Sequence, residues 1–397
     1  MVVAEKPQEK KGEVIKSKGW LGEVEGLRGL ASLWVFALHA AVACGATLPI
    51  ISSGGRGVDL FILISGFIMV HQFQQRETLE PWNKPATIWR FWIRRFFRIA
   101  PLYYPMLFLS LTFGRFWGNA RDIIQSQYPI AATELARYGD RSIENYLAHL
   151  TFTFGMMPHF AFRTPLPDWS LGLEFQFYAV FPLVMLLVLK FGYHRTILVV
   201  STLSLLITLL LSLYFRSFAI ESFLPLRMYL FGMGMLIAAR MHSETEYILP
   251  WLVVLPVAAH FAIPGINFRL AGAQIFLACL FYVVTVYRGS GGQRFFGPVR
   301  GFLNHKVIQK LGTLSYSIYL LHSLVLLPVC ALLLKQHWFL ALPALIRFLV
   351  SIIVNGSIVL PLSMLLYKFL EKPGVRWGKW FSGKMLPEHS GTVIVSQ

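Results

Sequence analysis

Arg28 and His39 stand eleven residues apart in one uninterrupted apolar stretch, EGLRGLASLWVFALHA. At 100° per residue that separation is about 1100°, roughly 20° past three full turns, with a rise of about 16 Å, so a helix carries both side chains on one face. A guanidinium at a membrane edge can clamp phosphate, and an imidazole half a bilayer deeper can take a proton from a hydroxyl. A structural pair satisfies the same spacing, with Arg28 snorkelling to the headgroups and His39 bonding a neighbouring helix. Ionisable groups inside apolar spans are costly, so each is a functional candidate.

Two carboxylates stand out on that ground: Asp59 in GRGVDLFILISGF and Glu174 in DWSLGLEFQFY. Ser170, Glu174 and Tyr178 recur at i, i+4 and i+8, which flanks the Glu174 carboxylate with two hydroxyls on one helical stripe. Such a stripe can bind a sugar or tie two helices together; Trp169, Ser170 and Tyr178 are the expected substrate contacts. In FWIRRFFRIAP, Arg90, Arg94, Arg95 and Arg98 alternate with Phe91, Trp92, Phe96 and Phe97. The pattern suits a basic membrane anchor, or a site for phosphates and an adenine ring. In LGTLSYSIYLLH, Tyr316 and Tyr319 suit interhelical hydrogen bonds, and His322 is a reserve candidate for the base.

The elements that must hold these residues are membrane helices. Of 397 residues, 56% are hydrophobic and 14% charged, where ordinary globular chains carry roughly 25% charged residues. Apolar segments near 28–48, 57–74, 97–116, 172–191, 195–215, 222–241, 247–264, 269–288, 312–334 and 340–368 are each long enough to cross the bilayer. The expected architecture is therefore an all-α integral membrane bundle of about ten helices. Residues 1–25 read as a flexible cytosolic arm, 26–373 as the membrane domain with an outer loop at about 117–170, and 374–397 as a short cytosolic tail. With both termini in the cytosol, most of the 36 Lys and Arg fall on the inner side, which explains the formal charge of +17 as a topology signal. Attraction to anionic membrane lipid follows from it. The aromatic residues lie in apolar runs, so no nucleic-acid partner is expected. Cys44, Cys279 and Cys330 show no metal-ligand spacing, and neither a metal nor a disulfide framework is expected.

The ordered blocks EGLRGLASLWVFALHA, GGRGVDLFILISGFIM, WIRRFFRIAPLYY, LPDWSLGLEFQFYAVFP, LGTLSYSIYLLH and FLEKP resemble the acyltransferase-3 family of integral-membrane O-acyltransferases over nearly the whole chain. The resemblance implies about ten helices in a bacterial cytoplasmic membrane. It also implies a cytosolic acetyl-CoA or other acyl-CoA donor, and transfer of the acyl group to a hydroxyl of an extracytoplasmic or lipid-linked glycan. The family's Arg and His pair corresponds to Arg28 and His39, its paired arginines to Arg95 and Arg98, and its Ser-Gly-Phe turn to Ser65, Gly66 and Phe67.

The resulting expectation gives His39, Glu174 and Asp59 catalytic roles and places Arg28, Arg94, Arg95 and Arg98 on the donor. The donor reaches the midplane from the cytosol, the acceptor enters past Asp59 and Glu174, and His39 acts as general base in direct transfer, with a covalent route through His39 left open. A transporter or flippase of a lipid-linked saccharide is the rival reading, and it predicts no thioester consumption. The spacing leaves the acceptor's identity, the acyl group and the oligomeric state open.

Overall fold

Over its described residues each apolar stretch named above is mainly helical in the computed structural model, which describes residues 21–241, 247–262, 267–287 and 290–385. The principal helices are α1 (Gly22–Ala43), α2 (Gly55–Arg76), α3 (Pro85–Thr112), α4 (Gly114–Gln127), α5 (Trp169–Phe191), α6 (Tyr193–Leu210), α7 (Met228–Met241), α8 (Leu249–Ala262), α9 (Phe268–Thr285), α10 (Lys306–Leu334), α11 (Ala344–Leu366) and α12 (Lys372–Met385). Among the described residues there is no strand.

Among the described residues seven helices are long and apolar enough to cross a membrane, or eight if the α3–α4 pair, bent by 72°, forms one span, so the expected count of about ten is not confirmed. Over the described residues α7 and α8 have 14 residues each, about 21 Å at 1.5 Å per residue against a hydrocarbon core of about 30 Å. α7 is enclosed by the bundle, with every residue from Met228 to Ala239 buried. Its apolarity therefore reflects burial among helices rather than contact with lipid.

The helix ends also differ from the sequence boundaries. α1 begins at Gly22, so residues 22–25 of the expected arm belong to the first helix, where Glu23 and Glu25 complement the positive end of its dipole. Residues 1–20 and 386–397 lie outside the described residues. α11 runs through a π turn at Tyr367–Glu371 into α12. α12 lies on α3, with Phe381 stacked on Phe97 at 5.1 Å.

Two glycine contacts set the core. A Cβ on Gly312 would stand 2.1 Å from the Glu25 carbonyl oxygen, and one on Gly29 would stand 2.7 Å from the Gly312 nitrogen. Only hydrogens at both positions let α1 and α10 approach so closely. Gly66 and Gly234 do the same for α2 and α7, against the carbonyl oxygens of Phe231 and Leu63.

The expected outer loop at 117–170 is a folded cap. Trp117 on α4 donates its indole N–H to the Leu324 carbonyl of α10 at 2.8 Å. A short helix, Ile143–Leu150, is capped by Ser142. Buried Arg137 donates to the Thr164 carbonyl at 3.0 Å and lies over the Phe162 ring.

Candidate active site

A cavity of about 530 Å³ lies among α1, α2, α3, α5 and α10, within the roughly 300–1,000 Å³ usual for small-molecule sites. α1 contributes to it only over its Gly22 end, up to Arg28. Gln72 and Gln75, near the end of α2, line the cavity and are exposed, so it opens there.

Arg28, Arg95 and Arg98 all line this space, which brings together three of the four arginines expected to hold a donor. Their electrostatic situations differ. Arg28 faces Glu25 at 3.3 Å, and Arg98 is paired with the buried carboxylate of Glu371. The second Glu371 oxygen accepts from Ser317 at 2.9 Å. Arg95 donates to the neutral Gln72 amide oxygen and lies over the rings of Phe91 and Tyr178, 5.5 and 5.4 Å from their centroids. Its charge is met by no carboxylate hydrogen bond among the described residues, and it is the cation best prepared for an anionic ligand.

Arg94 is not among the cavity-lining residues. It donates through two nitrogens to the two Glu80 oxygens, each at 2.7 Å. Glu80 occupies the turn between α2 and α3, and burial there acts to raise its pKa. The Arg94 hydrogen bonds and the charges of Arg94, Arg76 and Arg90 outweigh burial and hold the carboxyl below its ordinary value. A depressed carboxyl stabilises the fold above the ordinary glutamate pKa of about 4.3, and that stabilisation fades as pH falls through the lowered value. Acidification through this range is expected to lower hydrogen-exchange protection, measured against the intrinsic rate at each pH, in the α2–α3 turn of the wild type. Glu80→Gln should show lower protection at neutral pH and lose that acid-dependent fall.

Glu174 lines the cavity, and its Oε1 accepts from Ser65 at 2.7 Å and from Tyr178. The expected stripe on α5 is therefore real, although its internal bonds differ from a simple flanking arrangement. Tyr178 serves Glu174, while Ser170 shares a 2.8 Å hydrogen bond with the Tyr319 hydroxyl across to α10. Trp169, next to Ser170, is not among the lining residues.

His39 is half-buried and lies outside the cavity lining, about three turns along α1 from Arg28. Its Nδ1 is 3.0 Å from Nε2 of His322, which is fully buried on α10. His322 Nδ1 is 2.6 Å from the Tyr319 carbonyl oxygen. Tyr319 joins the two regions, because its side chain lines the cavity and its ring centroid is 5.9 Å from that of His322.

Asp59 does not line the cavity either. Arg227 and Arg56 each donate to it at 2.6 Å, and Gln274 donates at 3.2 Å. Arg227 also pairs with Glu221 at 2.5 Å. The Gln274 amide oxygen in turn accepts from Tyr229 at 2.9 Å and lies 3.2 Å from His260. This network joins α2, α7, α8 and α9, and both Asp59 oxygens are taken up by it.

The family model for an "Acyltransferase domain" of the acyltransferase-3 type matches residues 21–367. The chain belongs to the acyltransferase-3 family. It is 28% identical over 180 residues to the peptidoglycan O-acetyltransferase OatA of Listeria monocytogenes, a match covering 44% of this chain and 25% of that protein. It is also 28% identical over 195 residues to the acyltransferase MdmB of Streptomyces mycarofaciens, covering 44% of this chain and 42% of that protein. The matched region thus spans less than half the length of either relative. No solved structure matches the chain.

Within this acyltransferase-3 fold, sequence reasoning assigned no role to Glu371 or Gln72. Glu371 lies in FLEKP beside Lys372. The π turn at Tyr367–Glu371 is what directs it inward to Arg98, and a 3.6-residue period carries no trace of it.

Proposed function

We propose that this protein is a multi-pass O-acyltransferase of the bacterial cytoplasmic membrane, moving an acetyl or similar short acyl group from cytosolic acyl-CoA to a hydroxyl of an extracytoplasmic or lipid-linked glycan. The observation that carries the reading is a cavity lined by three arginines on the same helical bundle as a paired histidine about 16 Å farther along α1. Family membership and the partial similarity to a peptidoglycan O-acetyltransferase agree with it.

The donor set fits a phosphate-bearing thioester. Arg95 receives phosphate at the cavity's open half, with Arg28 beside it, and Arg98 is held in place by Glu371. The thioester supplies an activated acyl carbon, and a pantetheine arm is long enough to cover the distance toward His39. Tyr319, hydrogen-bonded to Ser170, lines the cavity and lies beside His322, so the acyl group approaches the histidines along it. His39 takes the proton of the acceptor hydroxyl, and direct attack then requires no acyl-enzyme. Glu174, fixed by Ser65 and Tyr178, orients the acceptor at the cavity wall.

The test is release of free CoA thiol by the purified protein in nanodiscs, supplied with acetyl-CoA and soluble peptidoglycan fragments, together with mass analysis of glycans from cells with and without the gene. Acyl transfer requires thiol release that depends on acceptor and a mass gain on a cellular glycan. A transporter consumes no thioester, and unchanged glycan masses with no thiol release would overturn the proposal. Arg95→Ala is expected to weaken acetyl-CoA binding about 10–100-fold, the loss of one or two charge-assisted hydrogen bonds of roughly 1.5–3 kcal/mol. Unchanged donor affinity on titration calorimetry would remove Arg95 from the site.

A further inference from the structure

We propose that His322 is the positioning residue of the His39 base: it fixes the imidazole tautomer so that Nε2 of His39, and no other ring nitrogen of the pair, accepts the acceptor's proton. The inference deepens the acyl-transfer reading and rests on it.

The Tyr319 carbonyl can only accept a hydrogen bond. His322 Nδ1, 2.6 Å away, must therefore carry a hydrogen. In the neutral ring this leaves Nε2 of His322 with a lone pair and no hydrogen. That nitrogen meets His39 Nδ1 at 3.0 Å and the Ser323 hydroxyl at 3.3 Å, and both are able to donate to it. His39 therefore holds its hydrogen on Nδ1, and its own Nε2 is the basic nitrogen. The His39 ring also meets the backbone of Val35 one turn back on α1, and the residue is half-buried rather than sealed.

The same geometry removes His322 from the list of possible bases, because both of its nitrogens are engaged. Its placement is rigid. The ring is fully buried, packs against Phe36 at 6.2 Å between centroids, and is carried on the helix that the Gly29 and Gly312 contact presses against α1. A partner whose own second nitrogen is tied to a backbone carbonyl orients His39 without competing for the substrate proton.

Proton bookkeeping in the transfer step then closes on one atom. Nε2 of His39 takes the hydroxyl proton, and the acceptor oxygen bonds the acyl carbon as the carbon–sulfur bond breaks. Nε2 returns the proton to the departing thiolate. Throughout, the Nδ1 hydrogen of His39 stays on His39 and points at His322 Nε2, whose lone pair stabilises the transient imidazolium.

Two substitutions and one spectrum test this. His322→Gln places an amide oxygen near the position of Nε2 and can still accept from His39, whereas His322→Leu cannot. His322→Leu is expected to lower kcat about 10–100-fold, the usual cost of losing such an orienting partner, with KM for acetyl-CoA unchanged. His322→Gln should recover most of the loss. In ¹⁵N-histidine spectra of the wild-type protein in nanodiscs, His39 should show a protonated Nδ1 and an unprotonated Nε2, and His322→Leu should lose that preference.

Equal losses of kcat in both variants would assign His322 to packing, and unchanged kcat in both would remove it from the reaction. A wild-type His39 with its hydrogen on Nε2 would overturn the proposal even if His322→Leu failed to fold. Failure of the acyl-transfer reading itself is separate: it appears as absent thiol release in the wild type, and leaves the tautomer measurement standing.

Discussion

His39→Ala is expected to reduce acyl transfer by about 10²–10⁴-fold, the usual contribution of a positioned general base, while acetyl-CoA binds as it does to the wild type. The separation of effects follows from the geometry. The three arginines line the cavity and His39 does not, so removing the imidazole takes nothing from the donor's phosphate contacts. The imidazole also contributes little that the fold cannot lose: a hydrogen bond to His322 and one to the backbone of Val35 on its own helix, in a half-buried position. Thermal unfolding of the variant in detergent should stay near wild type. The measurement is kcat for thiol release against Kd for acetyl-CoA, both in nanodiscs. Turnover within threefold of wild type would exclude His39 as the base, and parallel loss of donor binding would place its role in the cavity instead.

Asp59→Ala is expected to fail in a different way, by loss of the folded protein. Asp59 is 3% exposed and Arg227 is 7% exposed, and Asp59 also receives Arg56 and Gln274. Breaking a buried ion pair by removing one partner costs about 3–5 kcal/mol, because the remaining charge is left without compensation. Here Arg227 keeps Glu221, which is one-third exposed at its side chain, and a hydrogen bond with Tyr229. Since folded proteins hold only about 5–15 kcal/mol in reserve, the variant should give a low yield of monodisperse protein and a depressed melting transition. Asp59→Asn, which keeps the shape and some hydrogen bonding, should fall between alanine and wild type. A stable, fully folded Asp59→Ala that had lost only turnover would return Asp59 to the catalytic group in which its sequence context had placed it.

The contrast between these two residues shows where sequence reasoning reached its limit. Both were ionisable groups in apolar spans, and the cost of burying charge singled out both. That cost reveals that a partner exists, without saying whether the partner is a substrate or an arginine of another helix. For Asp59 the partner is Arg227, 168 residues away. For Arg94 it is Glu80, held in the turn before its own helix. Arg95 and Arg98, three residues apart on the same helix and turned by about 100° and 40° from Arg94, do reach the cavity.

Membrane class, the helical stretches, the shared face of Arg28 and His39, and the one-turn spacing of Arg95 and Arg98 were all determined by sequence alone. Each depends on local composition or on the fixed 100° step of a helix, and the same residues supply both cause and effect. Tertiary structure decided the rest. It enclosed α7 among the other helices, turned Glu371 inward through a π turn, consumed Asp59 in an ion-pair network, and set His322 against His39 across 283 residues. Those outcomes depend on how closely two helices can approach and at what rotation, which is fixed by side-chain volume at distant contacts such as Gly29 with Gly312. No window along the chain contains both sides of such a contact.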